Sequence, residues 1–356
     1  METVFIDGST GEGGGQILRT SLTLSCITGK GLHIENIRAA RRNPGLAKQH
    51  LSCVQAACQI CNGQAQGATQ GSRLLDFQPG PVQAGDFHFD IGSAGSASLV
   101  IQTILPALFL ADKPSTVTVT GGTHNPLAPP FDFLFETFLP AIATASFKGD
   151  CKLIKHGFFP AGGGKITFHI QPWQKNKEKA IDLCQASEQF QIQARIYTAR
   201  LPAHVAQRQR ELLLKSELAN AKSQIQRLAG PLKPENIQHI EVTDSDGPGN
   251  CAMIRLCASD GTTVFTAFGM RGKRSEEVID EVVRLAEDFL ASNAAVDRFL
   301  ADQLLIYMAI AKSGCFTTNE LSSHLQTNIE VIKKFLTVGF TVDKQEKAYK
   351  ISCQPK

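Results

Sequence analysis

The spacing of hydrophobic and polar positions along the chain predicts a succession of strands and helices. Short apolar or alternating runs predict strands, and apolar residues three or four positions apart predict helices. The first strand is Val4 to Ile6, and Gly29 can end the helix that follows it. The later predicted strands are 32–37, 73–77, 87–91, 115–120, 151–154, 165–170, 190–198, 237–242 and 251–257. The predicted helices are 16–28, 44–61, 99–111, 132–145, 205–228, 275–291 and 295–311.

Loops of glycine and other small residues recur between these elements. Gly8 to Gly15 precedes the first helix, Gly92 to Ser96 opens the helix at 99, and Gly162 to Gly164 separates the strands near 151 and 165. Three units of similar length argue for a repeated α/β architecture. This prediction rests on the order of the elements, because the units share little sequence.

The pattern changes at the polar, lysine-rich segment Pro172 to Glu178 and returns to its earlier style near Gly272. We therefore predict a small α/β domain inserted into a larger one. The predicted divisions are 1–178 for the first part of the large domain, 179–272 for the insert and 273–356 for the last part. The insert's long helix has one basic side, for which a solvated face is a simpler interpretation than a nucleic-acid surface.

Composition is that of an ordinary globular protein, with 356 residues, 42% hydrophobic and 19% charged. A net charge of +3 is too small to indicate a nucleic-acid partner, so a polyanion site would need local clustering of arginine and lysine. Ten scattered cysteines suggest reduced thiols, and the single Cys58-x-x-Cys61 pair lacks the second pair of a zinc site. With no secretion signal and no apolar run long enough for a bilayer, we expect a soluble, cytoplasmic protein without a membrane segment.

The loop from Gly8 to Arg19 is the first candidate site. Glycines allow a ligand to approach the backbone, and free N–H groups at the start of a helix attract anions. Glu12 would repel a bare phosphate unless a divalent cation lay between them, and Arg19 could supply positive charge. A tight strand-to-helix turn without a ligand is the alternative. The common phosphate-loop and dinucleotide glycine patterns are absent.

A second candidate is the basic group Arg38, Arg41, Arg42 and Lys48, with Gln49 beside it. Guanidinium groups bind phosphate oxygens in pairs, although a charged surface corner would look the same.

Three of the nine histidines, His124, His156 and His324, fall in segments with a loop-like composition. No pair has zinc-type spacing, so a dedicated catalytic zinc is not expected. Structural hydrogen bonding and catalysis both stay open for each.

Segments along nearly the whole chain resemble the RNA 3′-terminal phosphate cyclases. The segments that carry the resemblance are Asp7 to Arg19, Ile37 to His50, Ile91 to Ser96 with Gln102, Gly121 to Pro130, His156 to Gly164, Leu300 to Gln303, and His324 to Asn328. The resemblance implies a large domain of three βαβαββ units, similar to the C-terminal domain of a translation initiation factor, with a small inserted α/β domain. It also implies ATP-dependent conversion of an RNA 3′-phosphate to a 2′,3′-cyclic phosphodiester through AMP bound covalently to a histidine.

The same resemblance implies roles for individual residues. His324 matches the nucleophilic histidine, and Glu12 matches a ligand of a divalent cation, Mg or Mn. The ATP positions are Gly13, Gly14, Arg19, Gln102, Pro129, Phe299 and Asp302. The RNA positions are Arg38, Arg41 and Gln49. The division of the arginines between ATP and RNA stays open.

Three of these matches have finer implications. Phe299 and Pro129 would sandwich adenine, with phenylalanine where some members have tyrosine, and Asp302 would lie near the AMP. The turn from Pro160 to Gly164 would approach the nucleotide through its backbone. His124 stands where members differ, so a catalytic role for it is not expected.

Two other functions are weighed against the cyclase. A catalytically inert relative in ribosome assembly would lack the histidine, so His324 together with Glu12 argues against it. An enolpyruvyl transferase with a similar repeated fold would need a lysine and arginine pattern that the sequence lacks. RNA 3′ ends and ATP are the expected partners, and the oligomeric state stays open, a dimer included.

Overall fold

The computed structural model describes residues 2–174, 179–219 and 228–356 and has mixed α/β architecture, as predicted. The strands are β1 (Thr3–Asp7), β2 (Gly31–Glu35), β3 (Gln64–Gln66), β4 (Leu75–Gln78), β5 (Asp86–Asp90), β6 (Ser115–Gly121), β7 (Gly149–Lys155), β8 (Gly164–Ile170), β9 (Ile181–Leu183), β10 (Gln191–Ala199), β11 (Ile237–Val242), β12 (Gly249–Ala258), β13 (Gly261–Phe268), β14 (Gly314–Thr318), β15 (Val338–Lys344) and β16 (Tyr349–Pro355).

The α-helices are α1 (Gly15–Thr28), α2 (Lys48–Cys61), α3 (Ala97–Phe109), α4 (Phe131–Phe133), α5 (Leu139–Ala143), α6 (Ala203–Lys215), α7 (Ser275–Ser292), α8 (Arg298–Ala311) and α9 (Ser323–Phe335). A π-helical turn, Leu134–Phe138, connects α4 to α5, and short 3₁₀ turns occur at Glu217–Ala219 and Pro234–Asn236. Within the described part of the chain, no helix combines the length and the apolar character needed to cross a bilayer.

Every strand and helix predicted from hydrophobic spacing overlaps an element of the same kind. The predictions leave out β3, β9, β13, β14, α9, β15 and β16. Strands of three residues, such as β3 and β9, are too short to show alternation. The helix predicted from residue 44 begins at Lys48. Residues 44–47 are not helical, because Gly45 has φ +81°, outside the right-handed helical region. Its backbone also lies against Gly71, where a Cβ on Gly45 would be 2.2 Å from the carbonyl oxygen.

The long helix predicted for 205–228 is also shorter than expected. It ends at Lys215, and 220–227 lie outside the described residues. Two residues of its basic side have partners within the protein. Arg208 pairs with Glu276 of α7 at 2.6 Å, and Arg210 donates to the carbonyl oxygens of Pro234 and Ile237. These contacts favour the interpretation as an ordinary helix face.

The strands of the described residues form four four-stranded sheets. Three of them have the orders β1-β2-β4-β3, β5-β6-β8-β7 and β9-β14-β16-β15, and in each the first two strands are parallel and the others antiparallel. The fourth sheet has the order β11-β10-β12-β13. Helix α1 packs against α2, α3 and α9, and α8 packs against α9. This packing places the start of α9 beside the start of α1.

Two main hydrophobic cores lie in different parts of the sequence. The first joins residues from Val4 to Ile181 with residues from Val296 to Cys353. The second joins Ile192 to Ala294, including the apolar face of α7, and adds Ala348. The division at 179 and 272 stays a prediction. Along the sequence, the chain passes from the first core to the second after β9 and returns to the first core after α7.

Candidate active site

The loop between β1 and α1 folds back on the carboxylate of Glu12. The backbone N–H of Gly14 donates to Glu12 Oε2 at 2.7 Å. A Cβ at Gly14 would lie 2.0 Å from Glu12 Oε1, and Gly13 has φ +61°. The positive φ of Gly13 favours glycine, and a side chain at Gly14 would displace the carboxylate of Glu12. The glycine run therefore closes around an acidic side chain that is 6% exposed.

His324 lies in the first turn of α9, so its expected loop setting is wrong. Ser322 caps this helix, its hydroxyl accepting from the N–H of Leu325 at 3.0 Å. Serine before a hydrophobic run is a typical helix start. The free N–H groups of this turn and of α1 create a region that favours anions.

The ring of His324 is oriented by Gln16, a buried residue of α1. Imidazole Nδ1 contacts Gln16 Oε1, and Nε2 lies 3.9 Å from Glu12 Oε1. Because an amide oxygen can only accept, Nδ1 carries the proton and Nε2 keeps its lone pair. Burial lowers the pKa of His324, with Glu12 opposing that effect and Arg19 and Arg41 adding to it. The side chain is 43% exposed, so a neutral, accessible nucleophile faces the glycine loop.

Direct hydrogen bonds join the two ends of the chain at this site. The N–H of Glu12 donates to Thr327 Oγ1 at 3.1 Å, across 315 residues of sequence. Thr20 Oγ1 donates to Asn328 Oδ1 at 2.7 Å. The start of α9 is thus fixed against α1.

Cationic groups surround the loop. Arg41 forms an ion pair with Glu12 Oε1, and Arg38 Nη1 donates to the carbonyl oxygen of Gly45 at 2.7 Å. A Cβ at Gly15 would lie 3.0 Å from Arg19 Nη1 and 2.4 Å from His50 Nε2, so both side chains line the loop. Burial lowers the pKa of Arg19 and of Arg38.

Sequence reasoning assigned no role to His50, although it lies in a matched segment. Burial and the nearby charges of Arg19 and Arg38 lower its pKa to about 3. It is therefore a neutral imidazole among guanidinium groups. The available sequence signal for His50 was its position close to the basic cluster. Its place in the site follows only from its packing against Gly15.

Two glutamines predicted for the site lie near the loop but differ in their contacts. Gln49 Oε1 accepts from the N–H of Ser96 at 2.9 Å, which joins α2 to the second glycine loop. Gln102 Nε2 is buried and has no hydrogen-bond partner among the described residues. It lines a polar cavity with Gln16, Arg19 and Asp302. A buried amide without a partner is costly unless a ligand or water binds it.

Asp302 accepts two hydrogen bonds from residues at the start of α9. Ser322 Oγ donates to Asp302 Oδ1 at 2.8 Å, and Asn328 Nδ2 donates to the carbonyl oxygen of Asp302 at 3.1 Å. Burial raises the pKa of Asp302 to about 8 despite the Ser322 hydrogen bond, and Asp297 and Glu320 add to the increase. The carboxyl is therefore largely protonated at neutral pH.

This titration predicts a pH dependence of stability. Between pH 3.8 and about 8 the folded protein holds a proton that the unfolded chain has released, so stability falls as pH rises through this range. The asparagine side chain of Asp302→Asn is uncharged at every pH in this range. We expect this variant to lose less stability than the wild type between pH 5 and pH 8, by on the order of 1 kcal/mol or more. Urea unfolding at the two pH values measures this, with the exposed Asp280→Asn as control. Equal losses in all three proteins would contradict the assignment.

The residues expected to hold adenine lie at element ends. Phe299, 40% exposed, is near the start of α8, and the guanidinium of Arg298 stacks 4.8 Å from its ring centre. Pro129 precedes α4. Their pairing across a base stays a prediction.

The glycine turn after β7 is held between two other loops. A Cβ at Gly162 would lie 2.8 Å from the carbonyl oxygen of Ser93, and one at Gly163 would lie 1.9 Å from Asp246 Oδ2. Its proximity to a nucleotide stays a prediction.

His124 is buried and contacts hydrogen-bonding groups through both ring nitrogens. It is 1% exposed, and its Nε2 lies 3.0 Å from Asp132 Oδ2 while Thr123 Oγ1 lies 2.8 Å from its Nδ1. The absence of a catalytic role for His124 stays a prediction.

Comparisons with known proteins identify relatives along nearly the whole chain. A sequence model of the family described as RNA 3′-terminal phosphate cyclase matches residues 10–342. A protein of Koribacter versatilis named RNA 3′-terminal phosphate cyclase is 45% identical over 99% of this chain and 95% of its own length. Proteins of the same name from Ralstonia nicotianae and Salmonella enteritidis are 43% and 41% identical, covering 98% and 97% of this chain and 96% and 97% of their own lengths.

Proposed function

The chain belongs to the RNA 3′-terminal phosphate cyclase family, and we propose that it uses ATP to convert an RNA 3′-phosphate into a 2′,3′-cyclic phosphodiester, releasing AMP and pyrophosphate. The observation that carries this proposal is the orientation of His324. Its Nδ1 faces Gln16, which leaves Nε2 directed toward the Glu12 loop. A neutral imidazole with a free lone pair is the group that a covalent nucleotidyl transfer requires.

The reaction proceeds in three displacements. His324 Nε2 attacks the α-phosphorus of ATP, and the bond to pyrophosphate breaks. An oxygen of the RNA 3′-phosphate then attacks the same phosphorus, releasing the histidine and forming an RNA-adenylate. The neighbouring 2′-hydroxyl finally attacks the activated 3′-phosphorus, loses its proton and expels AMP. This last step is favoured because both reacting groups belong to one ribose.

The chain's own residues supply charge neutralisation and alignment. Arg19, Arg38 and Arg41 surround the glycine loop, and the N-termini of α1 and α9 add partial positive charge. Gln102 offers a buried N–H donor without a partner among the described residues. We assign these groups to the phosphates of ATP and of the RNA end. Phe299 and Pro129 would hold adenine, with Asp302 beneath the AMP.

Glu12 fits a divalent cation, because Mg²⁺ and Mn²⁺ are commonly held by one carboxylate together with substrate phosphates. Its carboxylate is shielded from solvent and already attracts Arg41 and the N–H of Gly14. When bound there, Mg²⁺ or Mn²⁺ would neutralise phosphate charge. Arg41 would then be released from Glu12 to contact an anion.

The topology supports the finer description of the fold. We interpret the three sheets of like strand order as three βαβαββ units, the third interrupted between β9 and α8 by the inserted domain. Similarity to the C-terminal domain of a translation initiation factor belongs to the same proposal.

An RNA oligonucleotide with a labelled 3′-phosphate tests the activity. With ATP and Mg²⁺ or Mn²⁺, we expect the label to become resistant to phosphatase. Label that stays fully sensitive, with no AMP released, would instead favour the inert scaffold in ribosome assembly.

The Glu12 assignment predicts a changed metal requirement. Glu12→Gln keeps the size but removes the charge and one of the two acceptor oxygens, so we expect self-adenylylation to fall by about 10²-fold and to need more metal. The rate of label transfer from α-labelled ATP is measured against metal concentration. Glu2→Gln, 69% exposed and paired with Lys30, serves as the control. An unchanged metal dependence in Glu12→Gln would remove the assignment.

A further inference from the structure

Two cysteines from distant parts of the sequence meet beside the third mixed sheet. Cys184 directly follows β9, and Cys315 lies in β14, the strand that pairs in parallel with β9. Their sulfur atoms are 2.7 Å apart across 131 residues of sequence. Thr317 Oγ1 donates to the carbonyl oxygen of Cys184 at 3.3 Å and holds that residue against β14. The sheet, and not local sequence, positions the pair.

The pair differs from the other thiols in contact and access. Cys26 and Cys61, another pair with neighbouring sulfur atoms, are 4.0 Å apart and buried in the core. Cys184 and Cys315 are half-buried, so a small reagent can reach them. Burial and the contact with Cys315 raise the pKa of Cys184 to about 12, which keeps it a protonated thiol at neutral pH.

A carboxylate beside the sulfur atoms raises the alternative of a metal site. Asp182 Oδ1 lies 3.4 Å from Cys315 Sγ, and these three residues form a ligand-type cluster. In a tetrahedral zinc site with Zn–S near 2.3 Å, however, two sulfur ligands lie roughly 3.8 Å apart. A disulfide needs about 2.05 Å. The observed separation of 2.7 Å is nearer to the disulfide.

We propose that Cys184 and Cys315 form a reversible disulfide by exchange with a low-molecular-weight disulfide such as oxidised glutathione. The thiolate of Cys315 attacks one sulfur of the reagent, forming a mixed disulfide and releasing one small thiol. Cys184 then loses its proton and attacks the sulfur of Cys315, releasing the second small thiol. Two protein thiols are oxidised and the reagent is reduced to two thiols, so excess thiol reverses the reaction.

The bond would connect β9 to the strand that leads to α9 and His324. It would close a loop that runs from β10 to α8 and includes the second core from Ile192 to Ala294. Cross-links that close long loops restrict the unfolded chain and stabilise the folded one. The pair is therefore a redox-dependent cross-link between the end of β9 and β14. It would form when small disulfides accumulate and would stabilise the folded chain.

The test uses the full chain incubated with oxidised glutathione. We expect the intact mass to fall by two hydrogens without an adduct, and the peptide map to contain a Cys184–Cys315 cross-link. The melting temperature should rise by a few degrees and return to its original value in excess dithiothreitol. Cys184→Ser and Cys315→Ser should lose the cross-link and the temperature shift. Cys257→Ser, at another half-buried cysteine, should keep both.

Three results would overturn the proposal. Stable glutathione adducts on Cys184 or Cys315 without a cross-link would exclude ring closure. A cross-link between other cysteines would exclude this pair. Stoichiometric zinc binding by the reduced protein that is lost in Cys184→Ser and blocks oxidation would assign the cluster to a metal. The wild-type peptide map decides the first two, so poor folding of a variant does not leave them open.

Discussion

Replacement of His324 by alanine is expected to abolish covalent attachment of AMP and to lower RNA cyclisation by at least ~10³-fold. Alanine removes the imidazole that the start of α9 presents to the glycine loop, while the Glu12 loop, Arg41 and Gln16 remain. The stability should change little, because the side chain is 43% exposed. Transfer of label from α-labelled ATP to protein, followed on a denaturing gel, measures the effect directly.

The matched control is His204→Ala, an exposed histidine of α6. It should label at the wild-type rate. If His324→Ala acquires acid-labile AMP as fast as the wild type, the nucleophile lies elsewhere. If the wild type never labels under any metal condition but still cyclises RNA, the covalent step itself is wrong.

A pH profile gives an independent measure of the same histidine. Burial holds the pKa of His324 below its usual value of 6.5, so the nucleophile is neutral at pH 7 and protonates only as pH falls below 6.5. We expect the labelling rate to be nearly constant from pH 7 to pH 8 and to fall on acidification. A decrease centred above pH 7 would contradict the lowered pKa.

The largest loss of stability is expected from Asp132→Ala. Asp132 Oδ1 accepts from Tyr197 at 2.7 Å and from Arg195 at 2.9 Å, and its Oδ2 faces His124. Arg195 also pairs with Glu136. Removing the carboxylate leaves buried partners unsatisfied, which typically costs about 3–5 kcal/mol. Urea unfolding measures the free energy, and the activity of the folded fraction should stay close to that of the wild type.

Asp244→Ala is the control for this variant. Asp244 is 47% exposed and faces His156 at 3.2 Å, a surface pair worth about 0–1 kcal/mol. Equal destabilisation by both variants would show that burial of the Asp132 network does not matter.

The Asp132 network also has a predicted pH signature. Burial alone would raise the pKa of Asp132, but hydrogen bonds from His124 and Tyr197 and the charge of Arg195 lower it to about 2. The stabilisation is therefore present above the ordinary value of 3.8 and is lost as pH falls toward 2. Asp132→Ala should be less sensitive to acid over this range than the wild type.

Local sequence determined most of the elements. Apolar spacing placed α1 from about residue 16 and α7 from 275, and the observed helices begin at Gly15 and Ser275. Such spacing is a property of one segment, because a helix must bury one face whatever lies against it. Boundaries failed where a distant segment decided the backbone, as at Gly45, which is held against Gly71.

The sequence by itself determined the α/β class, the glycine loop with its acidic residue, the family resemblance, and His324 and Glu12 as candidates. Only the tertiary structure decided that these two residues face each other and that Gln16 orients the imidazole. It also decided that His50 is a neutral imidazole among arginines and that Cys184 contacts Cys315. The reason is physical. Chain direction and periodicity follow from neighbouring residues, whereas the orientation and protonation of a side chain depend on burial and charge contributed by residues hundreds of positions away.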